Sequence, residues 1–223
     1  MCGRIAVTLP TDAMAQLFAA TPDNNLPHVP NFNVCPTNQV HVVIGGETGR
    51  QFVSMRWGLL PEWYKTPTDG PLLINARAET IAEKPAFRAA FRERRCLIPA
   101  SGFYEWTKAN DGVRLPWYIY QADGSQIALA GIWQDWGGGE DQMHTCAVVT
   151  TRANVQLSAI HHRMPVIVER ENWALWMGES GKGAARLMQA LPDGRLRYHR
   201  VGRAVNSNKA SGPELIEPWE PEE

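Results

Sequence analysis

Cys2 directly follows Met1. Removal of Met1, which a small second residue permits, leaves one residue carrying both a thiol and a free α-amine. Their unperturbed pKa values are about 8.5 for the thiol and about 7.7–8.0 for the amine, so near neutral pH each is partly nucleophilic. A 1,2-aminothiol captures an aldehyde in two steps: the amine forms a Schiff base, and the sulfur then closes a thiazolidine ring. An N-terminal nucleophile also attacks acyl groups with its own amine as base. Met-Cys at the start of a chain is weak support by itself, and its weight depends on what accompanies Cys2.

Three further segments set polar, reactive side chains beside Gly, Pro or aromatic residues in strand-like surroundings. They are Ile74-Asn-Ala-Arg-Ala-Glu79, Ser101-Gly-Phe-Tyr-Glu-Trp106 and Ala159-Ile-His-His-Arg-Met-Pro165. Glu105 lies between Tyr104 and Trp106. As an outward strand residue it would be solvated, but against aromatic walls its carboxyl is desolvated and its pKa rises, which suits a general acid/base. Asn75 is either a turn residue or an amide that fixes an amine or a sugar hydroxyl. His161 and His162 are adjacent, and in an extended chain they point apart, so one of them at most faces a given site. Arg77 and Arg163 are either ion-paired structural residues or phosphate ligands, since a guanidinium matches phosphate bidentately.

The elements that must hold these residues are mostly short strands. Strands are expected at 3–9, 39–45, 51–57, 72–75, 95–98, 101–106, 116–121, 126–134, 143–150 and 164–168. Asp111-Gly112 and Asp123-Gly124 are hairpin signals, and Gly137-Gly-Gly139 with Glu140-Asp141 reads as a long flexible turn. Helices are expected at 12–20, with Met14, Leu17 and Phe18 on one face and Thr11 or Asp12 as cap, at 79–91, at 170–177 and at 181–190, with a helical turn at 153–158. Residues 21–32 and 58–71 read as loops, being rich in Pro. The pattern is that of an α+β chain, one β-rich domain over 1–223 with a barrel-like core, peripheral helices and a C-terminal tail at 211–223.

The chain has 223 residues, 22 Lys and Arg against 23 Asp and Glu, and a formal net charge of −1. Near-zero charge argues against wholesale wrapping of nucleic acid but leaves room for a local basic groove. Arg4, Arg77, Arg152, Arg163 and the runs Arg92–Arg95 and Arg195–Arg200 are candidate contributors. No apolar run suggests a signal peptide or a membrane span, so a cytoplasmic, monomeric protein without membrane attachment is expected. Cys2, Cys35, Cys96 and Cys146 are scattered without metal-ligand spacing; the last three read as small buried hydrophobes, and no metal or cofactor is expected.

In motif content the sequence resembles the SRAP (SOS response-associated peptidase) family, abasic-site-shielding proteins. The resemblance runs through Met1-Cys-Gly-Arg4, Phe32-Asn-Val-Cys-Pro-Thr37, Arg56-Trp-Gly-Leu59, Ile74–Glu79, Cys96–Trp106, Ala130-Gly-Ile-Trp133, Thr150-Thr-Arg-Ala-Asn154, Ile160–Pro165 and Gly212–Pro218. Cys35 stands where alanine is usual, and His162 where an aspartate often follows the key histidine. The resemblance implies a fold that holds single-stranded DNA in a basic cleft, with Cys2 as the nucleophile linked covalently to an abasic site. It further implies that Asn75 positions the new amine, that Glu105 shuttles protons, and that His161 assists sugar ring opening. Arg4, Arg77 and Arg163 would hold flanking phosphates, with Asn33, Trp57, Trp63 and Trp106 as further DNA contacts; for Trp57 a core role stands equally. The chemistry agrees, because an abasic deoxyribose opens to an aldehyde. A thiol autopeptidase and a non-covalent reader of single-stranded DNA are the alternatives.

Overall fold

A computed structural model of the protein describes residues 2–139 and 142–219. Met1, the Glu140-Asp141 part of the expected glycine-rich turn, and the last residues of the expected tail lie outside the described residues.

In chain order the elements begin with β1 (Ile5–Val7), α1 (Thr11–Phe18), β2 (Ala20–Pro22), β3 (Asn31–Val34), β4 (Gln39–Ile44) and β5 (Arg50–Trp57). There follow β6 (Asn75–Arg77), α2 (Pro85–Glu93), β7 (Arg95–Ala100), β8 (Gly102–Lys108) and β9 (Arg114–Gln121). The chain continues with β10 (Ile127–Trp136), β11 (Met143–Arg152), α3 (Val155–Ser158), β12 (Arg163–Pro165), α4 (Trp173–Met177) and β13 (Leu196–Arg200).

Among the described residues the strands form two sheets, an open one in the order β13-β9-β8-β1-β3 and a larger one in the order β12-β11-β10-β7-β4-β5-β2. The larger sheet closes on itself, because β5 also pairs with β11 through Thr145–Arg56 and Cys146–Trp57. The ring β11-β10-β7-β4-β5 is therefore a small barrel with one parallel seam, as the α+β barrel-like expectation requires. Apart from β5, which is polar on one face and only half-buried, its strands are largely apolar stretches buried on both faces: every residue from Ile127 to Ile132 is buried, as are Val40, Val42, Val43, Leu97 and Ile98. The packing sets glycines where strands come close. A Cβ at Gly131 would lie 2.7 Å from the Cys96 sulfur, and one at Gly102 2.4 Å from the Tyr118 ring.

Helices cover the barrel. In α1, Met14 and Phe18 are buried, and the Phe18 ring stacks on Trp173 at 4.3 Å. The helix begins after Pro10, whose side chain cannot cap, rather than at a Thr11 or Asp12 cap. The expected helix at 79–91 starts only at Pro85: residue 84 is extended, as the residue before a proline prefers, and residues 79–84 form turns. In 181–190 only a 3-10 turn forms, at Ala184–Leu187, because Gly181 and Gly183 sit at φ +93° and +115°, outside helical space. Two short strands, β2 and β3, fall at the ends of the segment read as a loop. Asp123-Gly124 does turn the chain, but β9 and β10 part into different sheets, so it joins sheets and makes no hairpin. The basic runs are largely consumed in the fold. Arg95 donates to the carbonyls of Phe91, Arg92 and Trp176, closing α2 against α4, and Arg195 pairs with Glu169.

His41 lies inside this barrel wall, 2 % exposed and stacked on Phe52 at 5.2 Å. Burial pushes its pKa down to about 4. An unfolded histidine takes up its proton near pH 6.5, so between pH 6.5 and 4 the unfolded chain binds more protons than the folded one, and stability is lost as pH is lowered through this window. The expected loss is at most about 3 kcal/mol. Denaturant unfolding at pH 6.5 and pH 4 checks it: His41→Phe should lose less stability than the wild type across this interval, while the carboxylates common to both proteins cancel.

Candidate active site

The site is assembled where the open sheet meets the end of β11. β1 runs antiparallel to β8, with Ile5 opposite Phe103. The Tyr104 N–H donates to the Arg4 carbonyl at 3.0 Å, which carries the pairing beyond the strand and brings Glu105 beside the Cys2–Gly3 segment. β11 supplies the rest from its two edges. β6 pairs along one edge, Asn75 opposite Val148, and β12 along the other, Arg163 opposite Arg152; Thr150 pairs with both Arg77 and Pro165. Asn75 and the histidine segment therefore approach from opposite sides of one strand.

The Asn75 side-chain amide donates to the Cys2 carbonyl at 2.8 Å, while its Oδ1 is buried without a hydrogen-bond partner among the described residues. Glu105 is buried, with its carboxylate oxygen 3.9 Å from His161 Nδ1. His161 follows α3, closing it through an N–H bond to the Leu157 carbonyl at 3.0 Å. His161 Nδ1 faces both the N–H and the carbonyl of Arg163, at 3.0 and 3.1 Å, accepting from the first when it is unprotonated and donating to the second when it carries a proton. The chain bends here instead of extending, so the His161 and His162 rings do not diverge: they stack at 4.3 Å, His161 half-buried and His162 exposed. That corrects the expectation from an extended chain.

Burial sets the titration of this group. It pushes the Cys2 thiol well above its ordinary value, and the nearby Glu105 charge pushes it further. It pushes the Glu105 carboxyl up and the His161 imidazole down. A carboxyl moved upward and an imidazole moved downward come closer in proton affinity, which favours exchange of a proton between them. In front of them opens a cavity of about 280 Å³ lined by Gly3, Arg4, Glu105, Trp106, Lys108, Arg114 and His161.

The other candidates divide. Arg4 is buried, its guanidinium donating to Asn33, to the Val205 carbonyl at 2.7 Å and to Asn208 at 2.6 Å. Asn33 is buried and donates to the Ser207 and Ala210 carbonyls. Arg163 is buried and forks onto Glu79 at 2.6 and 2.9 Å, holding that carboxyl below its usual range, and also reaches the Thr150 carbonyl at 2.7 Å. Trp57 packs in the core with its indole N–H on the Ile74 carbonyl. Arg77 is exposed, Trp63 is 60 % exposed on its loop, and Trp106 stands half-exposed at the cavity. Lys108 and Arg114 also line the cavity and were not singled out from sequence; the available signal is their position three residues either side of Asp111 in the Asp111-Gly112 turn. Among the described residues there is no cluster of three or more His, Cys, Asp or Glu fit to hold a metal, and no helix long and apolar enough to cross a membrane.

A family model described as SOS response associated peptidase (SRAP) matches residues 1–208. The chain is 34% identical over 224 residues to the abasic site processing protein YoqW of Bacillus subtilis, covering 97% of this chain and 99% of that one. It is 32% identical over 226 residues to the abasic site processing protein YedK of Escherichia coli, covering 98% and 100%. A crystal structure of a protein from Bacteroides thetaiotaomicron superposes with a TM-score of 0.84 over 98% of this chain and 100% of that one, at 24% identity, so the fold is shared. A family pattern over nearly the whole length and a common fold lead to one assignment: the chain belongs to the SRAP family.

Proposed function

We propose that the protein processes abasic sites in single-stranded DNA, capturing the open-chain aldehyde on Cys2 once Met1 has been removed. Relatives similar over their full length are named for abasic-site processing. The observation that carries the chemistry is the convergence of Cys2, Asn75, Glu105 and His161, from four distant segments, on one another.

With Met1 attached, the Cys2 nitrogen is an amide and cannot attack. Once freed, it is an amine next to Asn75, whose Nδ2 already fixes the Cys2 carbonyl and whose Oδ1 offers an acceptor for an amine N–H. That bond aims the nitrogen lone pair outward. As the hemiacetal opens, the His161 imidazole is suited to pass a proton to the sugar ring oxygen and to take back the proton that the anomeric hydroxyl loses as the aldehyde forms. The amine then adds to the aldehyde carbon, and the resulting hydroxyl leaves as water with a proton from Glu105, whose raised pKa keeps the acid form available. The thiol of Cys2 is protonated at neutral pH, so sulfur attack needs a base, and the Glu105 carboxylate left by the previous step supplies it. The sulfur–carbon bond forms as the carbon–nitrogen π pair returns to the iminium nitrogen, which keeps its one proton, and Glu105 ends protonated as it began. Aldehyde and aminothiol become thiazolidine and water, with no redox change. A thiol raised by burial suits this order better than thiolate-first acyl chemistry. The expected non-covalent hold on DNA falls to exposed groups, Arg77, Trp63 and Trp106, while Arg163 acts through Glu79 and through its N–H on His161.

Denaturing gels of protein mixed with abasic or intact single-stranded DNA test the reading. A retarded band with abasic DNA alone is expected, lost in Cys2→Ala and absent from protein whose intact mass retains Met1. A heat-stable band from either of these would overturn the thiazolidine, and cleavage of a peptide panel without a band would favour the peptidase. Glu105→Gln keeps size but cannot exchange a proton, so crosslinking should slow by about 10²- to 10⁴-fold, as loss of a general acid/base does. Time courses should also separate the stacked histidines, His161→Ala slowing the reaction and exposed His162→Ala having little effect; the reverse order would move the imidazole role by one residue.

A further inference from the structure

The β8–β9 hairpin carries an arrangement that the fold alone does not explain. Lys108 and Arg114 are cross-strand partners, two cations directly opposite each other. Like charges in that position destabilise a hairpin. Both side chains are exposed, and among the described residues neither forms an ion pair with an acidic side chain. Both line the cavity in front of Glu105 and His161.

Arg114 is also held in place. Its guanidinium lies 4.6 Å from the centroid of the Trp106 ring. The Trp106 indole N–H donates to Asn206 Oδ1 at 2.6 Å, and Asn206 Nδ2 donates back to the Arg114 carbonyl at 3.2 Å. Trp106, Asn206 and Arg114 thus form a closed bracket. A guanidinium that rests its face on an indole keeps the donors on its edge available for an oxyanion.

We propose that Lys108 and Arg114 form a phosphodiester-binding subsite at the mouth of the cavity, with Trp106 and Asn206 as positioning residues for the Arg114 guanidinium. The inference rests on the DNA-processing reading above and deepens it, since it assigns the DNA backbone to the β8–β9 side of the site. The like-charge pair, unfavourable in the free protein, is relieved when a phosphate lies between the two cations.

The test is non-covalent binding of intact single-stranded oligonucleotide by fluorescence anisotropy across a salt series, with the covalent band on abasic DNA scored separately. Each phosphate contact on single-stranded DNA contributes about 0.7 to the log–log salt slope, so Lys108→Ala/Arg114→Ala should lower it by about 1.4 and weaken binding on the order of tenfold at 0.1 M salt. Lys182→Ala/Arg186→Ala, which removes the same charge from exposed positions outside the cavity, should leave the slope unchanged. Arg114→Lys keeps the charge but loses the flat stacking face, and Asn206→Ala opens the bracket; both should weaken binding with the slope retained, and thermal melts should show every variant cooperatively folded at the assay temperature. Equal slope losses in the cavity and control pairs, an unchanged slope in the cavity pair, or no binding by the wild type would each overturn the subsite. A slope loss confined to the cavity pair supports it even where no covalent band forms, an outcome that would remove the crosslinking reading alone.

Discussion

The constraint on which the site depends is the double use of β11. Its middle closes the barrel by pairing with β5, and its last residues pair on both edges, with β6 and with β12. A strand locked by hydrogen bonds on two sides has little freedom to twist or slide, because a slip of one residue would reverse every side chain. Asn75 and His161 are therefore set relative to each other by backbone pairing, and not by the side chains that react. Loops alone would not hold a catalytic group to such tolerance.

Opposite β11 stands the open sheet, which contributes Cys2 and Glu105 through the pairing of β1 with β8. The two halves meet at the short bond from Asn75 to the Cys2 carbonyl and at the approach of Glu105 to His161. Arg4 and Arg163 show how costly burial of a guanidinium is offset: each donates to several acceptors, and Arg163 has a carboxylate besides. The same low-dielectric surroundings separate the protonation of Glu105 and His161 from their values in water, so one structural fact, exclusion of water, accounts for both rigidity and acid–base character.

The barrel is largely legible in the sequence, since its strands are runs of Val, Ile, Leu and Ala bounded by turn residues, and each such run locates its own strand. What is not legible depends on distant partners. Asn31–Val34 is polar enough to pass for loop and becomes a strand because Val34 finds Ile5. The stretch 181–190 has helical residues, but its glycines at positive φ prevent a helix. At the site, Cys2, Asn75, Glu105 and His161 declare themselves by residue type and by their neighbours. The buried state of Arg4, Asn33, Trp57 and Arg163 does not, because the groups that satisfy them, Val205, Asn208, Ser207, Ile74 and Glu79, are remote in sequence. The stacking of His161 on His162 depends on a local bend that no periodicity signals.

The anchoring of Arg4 has a consequence for the order of events during synthesis. Its guanidinium is held by the Val205 carbonyl, 201 residues later in the chain. At roughly 5–20 residues per second, a ribosome needs about 10–40 s to make that stretch. For this interval the first residues of the nascent chain lack the partners that finally lock them in place. When the strap around residues 205–210 emerges and docks, Arg4 gains its last acceptors and the buried Cys2 segment beside it is locked in place, so the two ends of the chain are joined only as synthesis finishes.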